Sequence, residues 1–312
     1  MKCLHVIRAG LVVVLLLGGC SQAAPVENGS GQGALNIQDF AGRTLSFHES
    51  PERIVSLSTG DMSIIYALGG QVVGRPTAEL PDNLQKAKSV QSIGTTHQFD
   101  VELITSLKPD VVLGNESLNS KDISTIEGIG SQLLLTSANS VKDIQRQVSL
   151  FGDLLGKQQK AKALNAQIDQ RIKQVKQPEK KVKTLVVYGA PGTYMAALPQ
   201  SLSGDLLRIA GGANIAENEP ALEKFPQYAQ INAEKVIEAD PDLILLMTHS
   251  NPEDVKAGFM SEMKQNAAWH DVSAVKNGHV EILPSDLFGT NPGAEVIRAI
   301  DELEKKLKRL SS

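Results

Sequence analysis

Two of the six histidines lie where a side chain could coordinate a bound ligand. His249 follows residues 243–248 (LILLMT), an apolar run that predicts a buried strand ending just before it. His97 lies in the loop at 94–98 (GTTHQ), before a helix predicted to begin near Glu102. A neutral imidazole is a common metal ligand. From these residues alone, two unrelated loop histidines are the simpler interpretation, and two ligands that reach one site from facing parts of the fold are the alternative.

The other residues that could carry chemistry do not form a pattern typical of an enzyme. The patterns GxxxxGK[ST], GxSxG and HExxH are all missing from the sequence. A zinc or manganese receptor would need several His and carboxylate ligands per metal, and only His97 and His249 are placed to contribute. We interpret His48, His270 and His279 as structural or surface residues. The sequence therefore favours a binding protein over an enzyme.

The elements that must position the two histidines occur twice. Residues 101–113 (VELITSLKPDVVL) and 233–245 (AEKVIEADPDLIL) each predict a short helix led by glutamate, a stop before Pro-Asp and an apolar strand. Residues 53–57 and 183–187 predict an earlier strand, followed by a helix that ends at Gly-Gly and covers 205–210 in the second copy. Wholly apolar strands suit sheets covered on both faces. The sequence therefore predicts an α/β fold of two similar, Rossmann-like lobes.

A single long helix is predicted between the lobes. Residues 158–175 are strongly helix-forming, and their apolar side chains fall on one stripe. We therefore divide this part of the chain into an N-terminal lobe (37–156), a connecting helix (157–177) and a C-terminal lobe (182–312). Ligands of two-lobed proteins bind where strand ends of the facing lobes meet. This arrangement would bring His97 and His249 to one cleft.

The start of the chain predicts export from the cell. Lys2 and Arg8 precede an apolar run at 11–17 that is too short to span a membrane. Residues 17–21 (LGGCS) resemble the bacterial lipobox, in which cleavage occurs before a cysteine that then carries the lipid. We therefore expect residues 1–19 to be a signal peptide.

Cys20 is then the predicted lipidation site, and residues 20–36 are too poor in large apolar side chains to fold, so they predict a flexible tether. The protein would be extracytoplasmic and attached to the bacterial cell membrane through its lipid anchor only. Removal of residues 1–19 takes away two basic residues and no acid, which changes the formal net charge from −4 to −6. No basic patch for nucleic acid is present.

Together these features resemble the class of periplasmic binding proteins whose two lobes are joined by one helix (class III). The resemblance covers residues 36–310. It is carried by the segments 39–43 (DFAGR), 51–55 (PERIV), 108–110 (KPD), 209–212 (IAGG) and 269–276 (WHDVSAVK). Members of this class are solute-binding lipoproteins of ABC importers for siderophores, cobalamin and heme. The resemblance implies a receptor whose partners are the permease and ATPase subunits of an importer.

Within this class the sequence is most similar to the heme-receptor lipoproteins of the iron-regulated surface determinant (Isd) type. The similarity is stronger in the C-terminal half and is carried by 73–77 (VGRPT), 189–194 (GAPGTY), 204–207 (GDLL), 249–255 (HSNPEDV) and 264–266 (KQN). It implies that heme is the transported ligand and that an upstream heme-donor protein is a candidate partner. A ferric-siderophore or cobalamin receptor of the same class is the alternative, and a zinc or manganese receptor is the alternative from another class.

The resemblance also implies roles for the two histidines. In Isd-type receptors the histidine that matches His249 is an axial ligand of the heme iron, and the position that matches His97 holds methionine. Heme iron accepts two axial ligands, and imidazole is a favoured one. We therefore predict His97 and His249 as the axial ligands, one from each lobe.

Other heme-pocket residues follow from their positions. Residues 58–60 open the first helix of the N-terminal lobe, where free backbone N–H groups suit a propionate. Arg75 and Thr77 are predicted to contact a propionate and Tyr194 to stack on the porphyrin, with a solvated arginine and a packed tyrosine as alternatives. The predicted pocket comprises Ser58, Thr59, Gly60, Arg75, Thr77, Thr96, Gly192 and Tyr194.

Glu102 and Glu234 occupy matching places in the repeated unit. In the class that the sequence resembles, one carboxylate on each lobe docks against arginines of the permease. Matching places suit a two-fold partner. The alternative is that both are helix N-terminal acids that complement the helix dipole. We predict permease docking for both residues.

Overall fold

The structure is a computed structural model that describes residues 35–190, 193–249 and 251–311. The predicted signal peptide, Cys20, nearly all of the predicted tether and Gly192 lie outside these residues. No helix in the described ranges is long and apolar enough to cross a membrane.

The N-terminal lobe contains an all-parallel sheet of five strands in the order β5-β4-β3-β6-β7. A two-stranded antiparallel hairpin, β1 with β2, precedes this sheet. The strands are β1 (Leu35–Gln38), β2 (Thr44–Phe47), β3 (Ile54–Ser56), β4 (Gly74–Arg75), β5 (Gln91–Ser92), β6 (Val111–Asn115) and β7 (Gln132–Thr136). The helices are α1 (Thr59–Ala67), α2 (Val101–Ser106), α3 (Glu116–Asn119), α4 (Ile123–Gly128) and α5 (Val141–Leu154).

One helix, α6 (Gln158–Gln174), follows and lies between the two sheets in the chain. The side chain of Asn165 donates to the carbonyl oxygen of Gln145 in α5 at 3.0 Å. Near its other end, Arg171 forms ion pairs with Asp301 at 2.5 Å and Glu304 at 2.6 Å, which belong to the last helix of the chain. The connecting helix is therefore held by both halves of the protein.

The second sheet is mixed. Six strands are arranged in the order β11-β9-β8-β12-β13, with β10 paired to β8. The strands are β8 (Lys183–Ala190), β9 (Thr193–Ala197), β10 (Ala213–Asn214), β11 (Tyr228–Gln230), β12 (Leu243–Met247) and β13 (Val280–Ile282). The helices are α7 (Leu202–Ile209), α8 (Ala233–Ala239), α9 (Pro252–Met263), α10 (Ser273–Lys276), α11 (Ser285–Phe288) and α12 (Val296–Lys308).

The predicted fold class, two α/β lobes joined by one helix, is confirmed. The lobes are less alike than expected, because β9 returns antiparallel to β8 before α7 begins. For the second lobe we expected the strand at 183–187 to be followed by the helix at 205–210 with no strand between them. That expectation is wrong. The predicted lobe boundaries stay a prediction, since the residues from 35 onward pack as one compact unit.

The repeated segments have the same local structure in both lobes. Asp100 caps the N-terminus of α2 and Asn232 that of α8, each accepting from the third backbone N–H of its helix. The residue before each Pro-Asp pair has positive φ, +46° at Lys108 and +44° at Asp240. The internal repeat thus marks two copies of one helix–turn–strand unit.

The aspartate of each Pro-Asp pair fixes the start of the first strand of its sheet. Asp110 accepts from the backbone N–H of Glu52 at 2.9 Å and of Arg53 at 2.8 Å. Asp242 accepts from the backbone N–H of Lys183 at 2.9 Å. These bonds join the repeated unit to the neighbouring strand.

Asp110→Ala should lower the free energy of unfolding by about 1–2 kcal/mol, because two N–H groups lose a charged acceptor. Urea unfolding followed by circular dichroism measures this change. Asp153→Ala is the control, since Asp153 is an exposed aspartate near the end of α5. Equal stability of the two variants would contradict the structural role of Asp110.

Candidate functional site

A cleft of about 320 Å³ opens at the carboxyl ends of strands from both sheets. Ser58 follows β3, Asn115 ends β6 and Ala138 follows β7, while Met247 ends β12. Residues 287–291, which follow β13, complete the second lobe's side. Sites of two-lobed α/β proteins form at such strand ends. This cleft is therefore the place where residues of both lobes can meet a ligand.

His249 lies at the end of β12 and lines the cleft. The side chain of His249 remains accessible to solvent. The protein atoms around the ring nevertheless disfavour its charged form, so this partial burial lowers the pKa of His249 below the usual 6.5. A positive charge on His97 lowers the pKa of His249 further. The imidazole is consequently neutral at pH 7, which is the form that can coordinate a metal.

The loop that carries His97 is a tight turn. Thr95 and Gln98 exchange backbone hydrogen bonds of 2.8 and 3.2 Å. Gly94 has φ of +102°, and a Cβ there would lie within 3.0 Å of Gln98 and Phe99 backbone atoms. A side chain at position 94 would therefore disrupt the turn.

Thr96 anchors this turn to the rest of the first lobe. Its hydroxyl donates to the carbonyl oxygen of Leu57 at 2.6 Å, and its carbonyl oxygen accepts from the Asn119 side chain at 3.0 Å. Thr96 lines the cleft, and His97 follows it as an exposed side chain. A positive charge on His97 in the first lobe acts on His249 in the second, where it lowers the pKa of His249.

Two apolar side chains face the same cleft from opposite lobes. Among the described residues, Leu118 at 37% and Phe225 at 51% exposure are the large hydrophobic residues left exposed, and both line the cleft. The two side chains give the cleft exposed apolar surface that an apolar ligand could cover. Neither residue is predictable from sequence, because an isolated Leu or Phe carries no periodic signal.

Tyr188, which no sequence pattern indicated, contacts the candidate ligand His249 directly. The two rings meet edge to face with centroids 5.4 Å apart. Tyr228 lies 5.6 Å from Tyr188, and burial with this neighbour raises the pKa of Tyr228 to about 12. Burial also raises the pKa of Tyr188. Both phenols are therefore protonated at neutral pH, and Tyr188 helps to orient the imidazole.

The N-terminus of α1 differs from the free anion cradle predicted at 58–60. The Ser58 hydroxyl accepts from the backbone N–H of Gly60 at 3.2 Å and of Asp61 at 3.4 Å, so these amides already have a partner. Gly60 is buried against Asn291. Asp61 is also buried, and desolvation raises its pKa to about 7. The prediction of free amides at this end is therefore wrong, although Ser58 itself lines the cleft.

Three other predicted pocket residues do not line the cleft. Arg75 donates to the carbonyl oxygen of Pro76 at 3.0 Å, and its buried Nε has no partner among the described residues. Thr77 forms a side-chain hydrogen bond with Ser92. Tyr194 instead lines a second cavity of about 770 Å³, which shares Phe225 with the cleft. Its ring packs edge to face on Phe259 at 5.3 Å, the packed-tyrosine alternative.

Glu102 and Glu234 are exposed near the N-termini of α2 and α8. Neither forms an ion pair with another residue of the described ranges.

Of the remaining histidines described, His48 and His270 are exposed, and His279 Nδ1 lies 3.1 Å from the carbonyl oxygen of Asp242. Within the described residues, no three His, Cys, Asp or Glu side chains cluster as a metal site.

The fold and cleft define a two-lobed solute-binding protein, and comparison with known proteins agrees. The chain belongs to the periplasmic binding protein family, whose model matches residues 54–287. It is 33% identical over 258 residues to the high-affinity heme uptake system protein IsdE of Staphylococcus aureus (strain bovine RF122 / ET3-1). That match covers 80% of this chain and 85% of the relative.

Solved structures show the same relationship. S. aureus IsdE complexed with heme is 29% identical with a TM-score of 0.71, covering 82% of this chain and 98% of that one. An ABC transporter substrate-binding protein from Listeria monocytogenes EGD-e is 30% identical with a TM-score of 0.70, covering 84% and 100%. The predicted resemblance is confirmed, and the protein is a substrate-binding component of an ABC transporter, not an enzyme.

The imidazole of His249 should titrate below pH 6.5, because burial disfavours its charged form. His97→Gln should raise the pKa of His249, since it removes a nearby positive charge. Proton NMR of the histidine ring protons, assigned with His249→Gln, measures both effects. Because the folded-state pKa is depressed, the neutral imidazole's contribution to stability is present above pH 6.5 and is lost as the pH falls through the folded pKa. A pKa of His249 unchanged by His97→Gln would contradict the proximity of the two side chains.

Proposed function

We propose that this protein captures heme between its lobes and delivers it to the permease of an ABC importer. The observation that carries the proposal is a neutral His249 in the cleft lining of the second lobe, with His97 of the first lobe directly after Thr96, which lines the same cleft. The name of the 33% identical relative, a heme uptake protein, supports the same ligand.

A heme that enters the cleft edge first would turn one face toward each lobe, so that its iron lies between them. Iron in heme takes one axial ligand on each face, and two neutral imidazoles satisfy both positions. Leu118 and Phe225 supply apolar surface for the flat macrocycle, one from each lobe. In this proposal Ser58 and Thr96 complete the polar edge of the cleft.

The propionates would then lie toward the rim, beside the loop that carries His97. Arg75 and Thr77 adjoin that loop, because Thr77 N–H donates to the Gly94 carbonyl at 2.6 Å and Ile93 N–H to the Arg75 carbonyl at 2.9 Å. The unpartnered Nε of Arg75 is a donor that a carboxylate would satisfy. We keep Arg75 and Thr77 as candidate propionate contacts on this basis.

The proposal includes anchoring and transport partners. Cys20 as a lipidated residue would hold the protein at the outer side of the cell membrane, with residues 20–36 as tether. The permease and its ATPase would accept the heme, and an upstream donor protein would supply it.

His249→Ala and His97→Ala should each convert bound ferric heme from a six-coordinate low-spin form to a five-coordinate or water-ligated form. Each substitution removes one axial imidazole. His97→Met should keep six ligands but raise the reduction potential, since a thioether favours ferrous iron. Absorption and electron paramagnetic resonance spectra of the hemin complexes, with potentiometry, measure these changes.

His270→Ala is the matched control, because His270 is exposed and lies in the second lobe away from the cleft lining. Its spectrum and affinity should equal those of the unsubstituted protein. A low-spin, two-imidazole spectrum that survives both single substitutions at His97 and His249 would overturn the proposed ligands.

Glu102→Ala and Glu234→Ala should lower heme uptake by whole cells without changing hemin affinity. Both carboxylates are exposed on matching helices and would pair only with the permease. Glu238→Ala, an exposed substitution one turn further along α8, is the control. Weaker hemin binding by the Glu102 or Glu234 variant would place that residue in the ligand site instead.

A further inference from the structure

Besides α6, the two lobes meet at a second junction where their backbones touch. Gly60 lies in the first turn of α1, and Gly293 begins a short 3-10 helix (Gly293–Glu295) just before α12. A Cβ on Gly60 would lie closer than 3.0 Å to the carbonyl oxygen of Asn291. A Cβ on Gly293 would lie closer than 3.0 Å to the carbonyl oxygen of Gly60. Real Cβ atoms essentially never come this close, so both positions require glycine.

Asn291 closes this glycine junction, which we define as Gly60, Asn291 and Gly293. Its side-chain amide donates to Gln147 Oε1 in α5 at 2.9 Å, and its side-chain oxygen accepts from the Gly293 N–H at 2.8 Å. Gln147 is 1% exposed, so this bond is sheltered from water. The N–H of Ala294 donates to the hydroxyl of Ser63 in α1 at 3.2 Å. Two of these bonds, from Asn291 to Gln147 and from Ala294 to Ser63, cross to the first lobe, while the third fixes the Asn291 side chain.

On the second lobe's side, the junction connects to His249 through packed backbone. Asn291 and Gly289 both line the cleft. A Cβ on Gly289 would lie closer than 3.0 Å to the carbonyl oxygen of Thr248, the residue before His249. Any shift of this segment away from α1 would therefore shift the strand end that carries His249.

On the first lobe's side, the junction connects equally directly to His97. Gly60 follows β3, whose continuation at Leu57 accepts the hydroxyl hydrogen bond of Thr96 at 2.6 Å. Thr96 immediately precedes His97 in the tight turn. The path from His97 to His249 therefore runs through the glycine junction, without passing through α6.

We propose that the glycine junction sets the distance between His97 and His249, and thereby allows both imidazoles to reach one iron at the same time. This inference rests on heme as the ligand. Packed interfaces leave little free space. Extra atoms at the junction would therefore push the lobes apart, because the interface cannot be compressed to make room for them. A separation of this kind would remove one axial bond while leaving the other in place.

The test compares hemin complexes of Gly60→Ala and Gly293→Ala with that of the unsubstituted protein. Each variant should show a mixed or high-spin ferric spectrum and bind hemin about tenfold more weakly. Added free imidazole should restore the low-spin spectrum, because it can fill the position that one histidine no longer reaches. Free hemin also becomes low-spin with imidazole, so the spectra are recorded on the protein-bound fraction after gel filtration.

Two glycines elsewhere provide matched controls. Gly128 ends α4 with nothing within 4 Å of its Cβ position, which matches the helical Gly60 without its contact. Gly278 has φ of +70°, close to the +57° of Gly293, and is equally open. Alanine at either control carries the same backbone cost but should leave the spectrum and affinity unchanged.

A double substitution distinguishes an effect on the distance between His97 and His249 from a general effect on packing. In a His97→Ala background only one histidine binds the iron, so Gly293→Ala should cause no further loss of hemin affinity. Asn291→Ala adds no atoms, and it should loosen the junction in the same direction if the glycine variants fold poorly.

Unchanged low-spin spectra in the folded junction variants would overturn the inference, as would an equal affinity loss with and without His97. A failure of the unsubstituted protein to bind hemin would instead overturn the proposed function.

Discussion

A flat ligand held through its centre from two faces requires two side chains at a fixed separation, and the proposed ligands His97 and His249 belong to different lobes. Their spacing depends on how the lobes are joined. One joint is α6, bonded to α5 by Asn165 and to α12 by Arg171. The other is the backbone contact of Gly60 with Gly293, directly beneath the cleft. The two lobes are therefore joined at two separate places.

The electrostatics of the cleft suit a neutral imidazole at His249 and disfavour an anion at the floor. Burial keeps His249 uncharged, and the neighbouring phenols of Tyr188 and Tyr228 remain protonated. Ser58 already occupies the first amides of α1, and the buried Asp61 in the same turn has a pKa of about 7. An anionic group of the ligand therefore gains little at α1. In the proposed complex the propionates lie instead toward the loop that carries His97, where the buried Nε of Arg75 has no partner among the described residues.

Sequence patterns predicted the parts of this protein that depend on local chemistry. The Pro-Asp repeats mark equivalent turns, with matching left-handed residues at Lys108 and Asp240, because proline and the cap residues act within a few positions. Apolar runs located β6 and β12, and therefore the strand end before His249. Positions that depend on contacts far along the chain were not predictable. Tyr188 against His249, Phe225 opposite Leu118 and Gly293 against Gly60 are each created by the packing of distant segments. The antiparallel return of β9 was also missed, although that contact is local and pairs Ala190 with Thr193.

Titration of the unsubstituted protein with hemin, followed by absorption spectroscopy with cobalamin and a ferric hydroxamate as competitors, tests the central claim most directly. The account predicts one equivalent of bound hemin with a six-coordinate low-spin spectrum and no displacement by equal concentrations of either competitor. Stoichiometric binding of cobalamin or the hydroxamate, with hemin left free in solution, would contradict it.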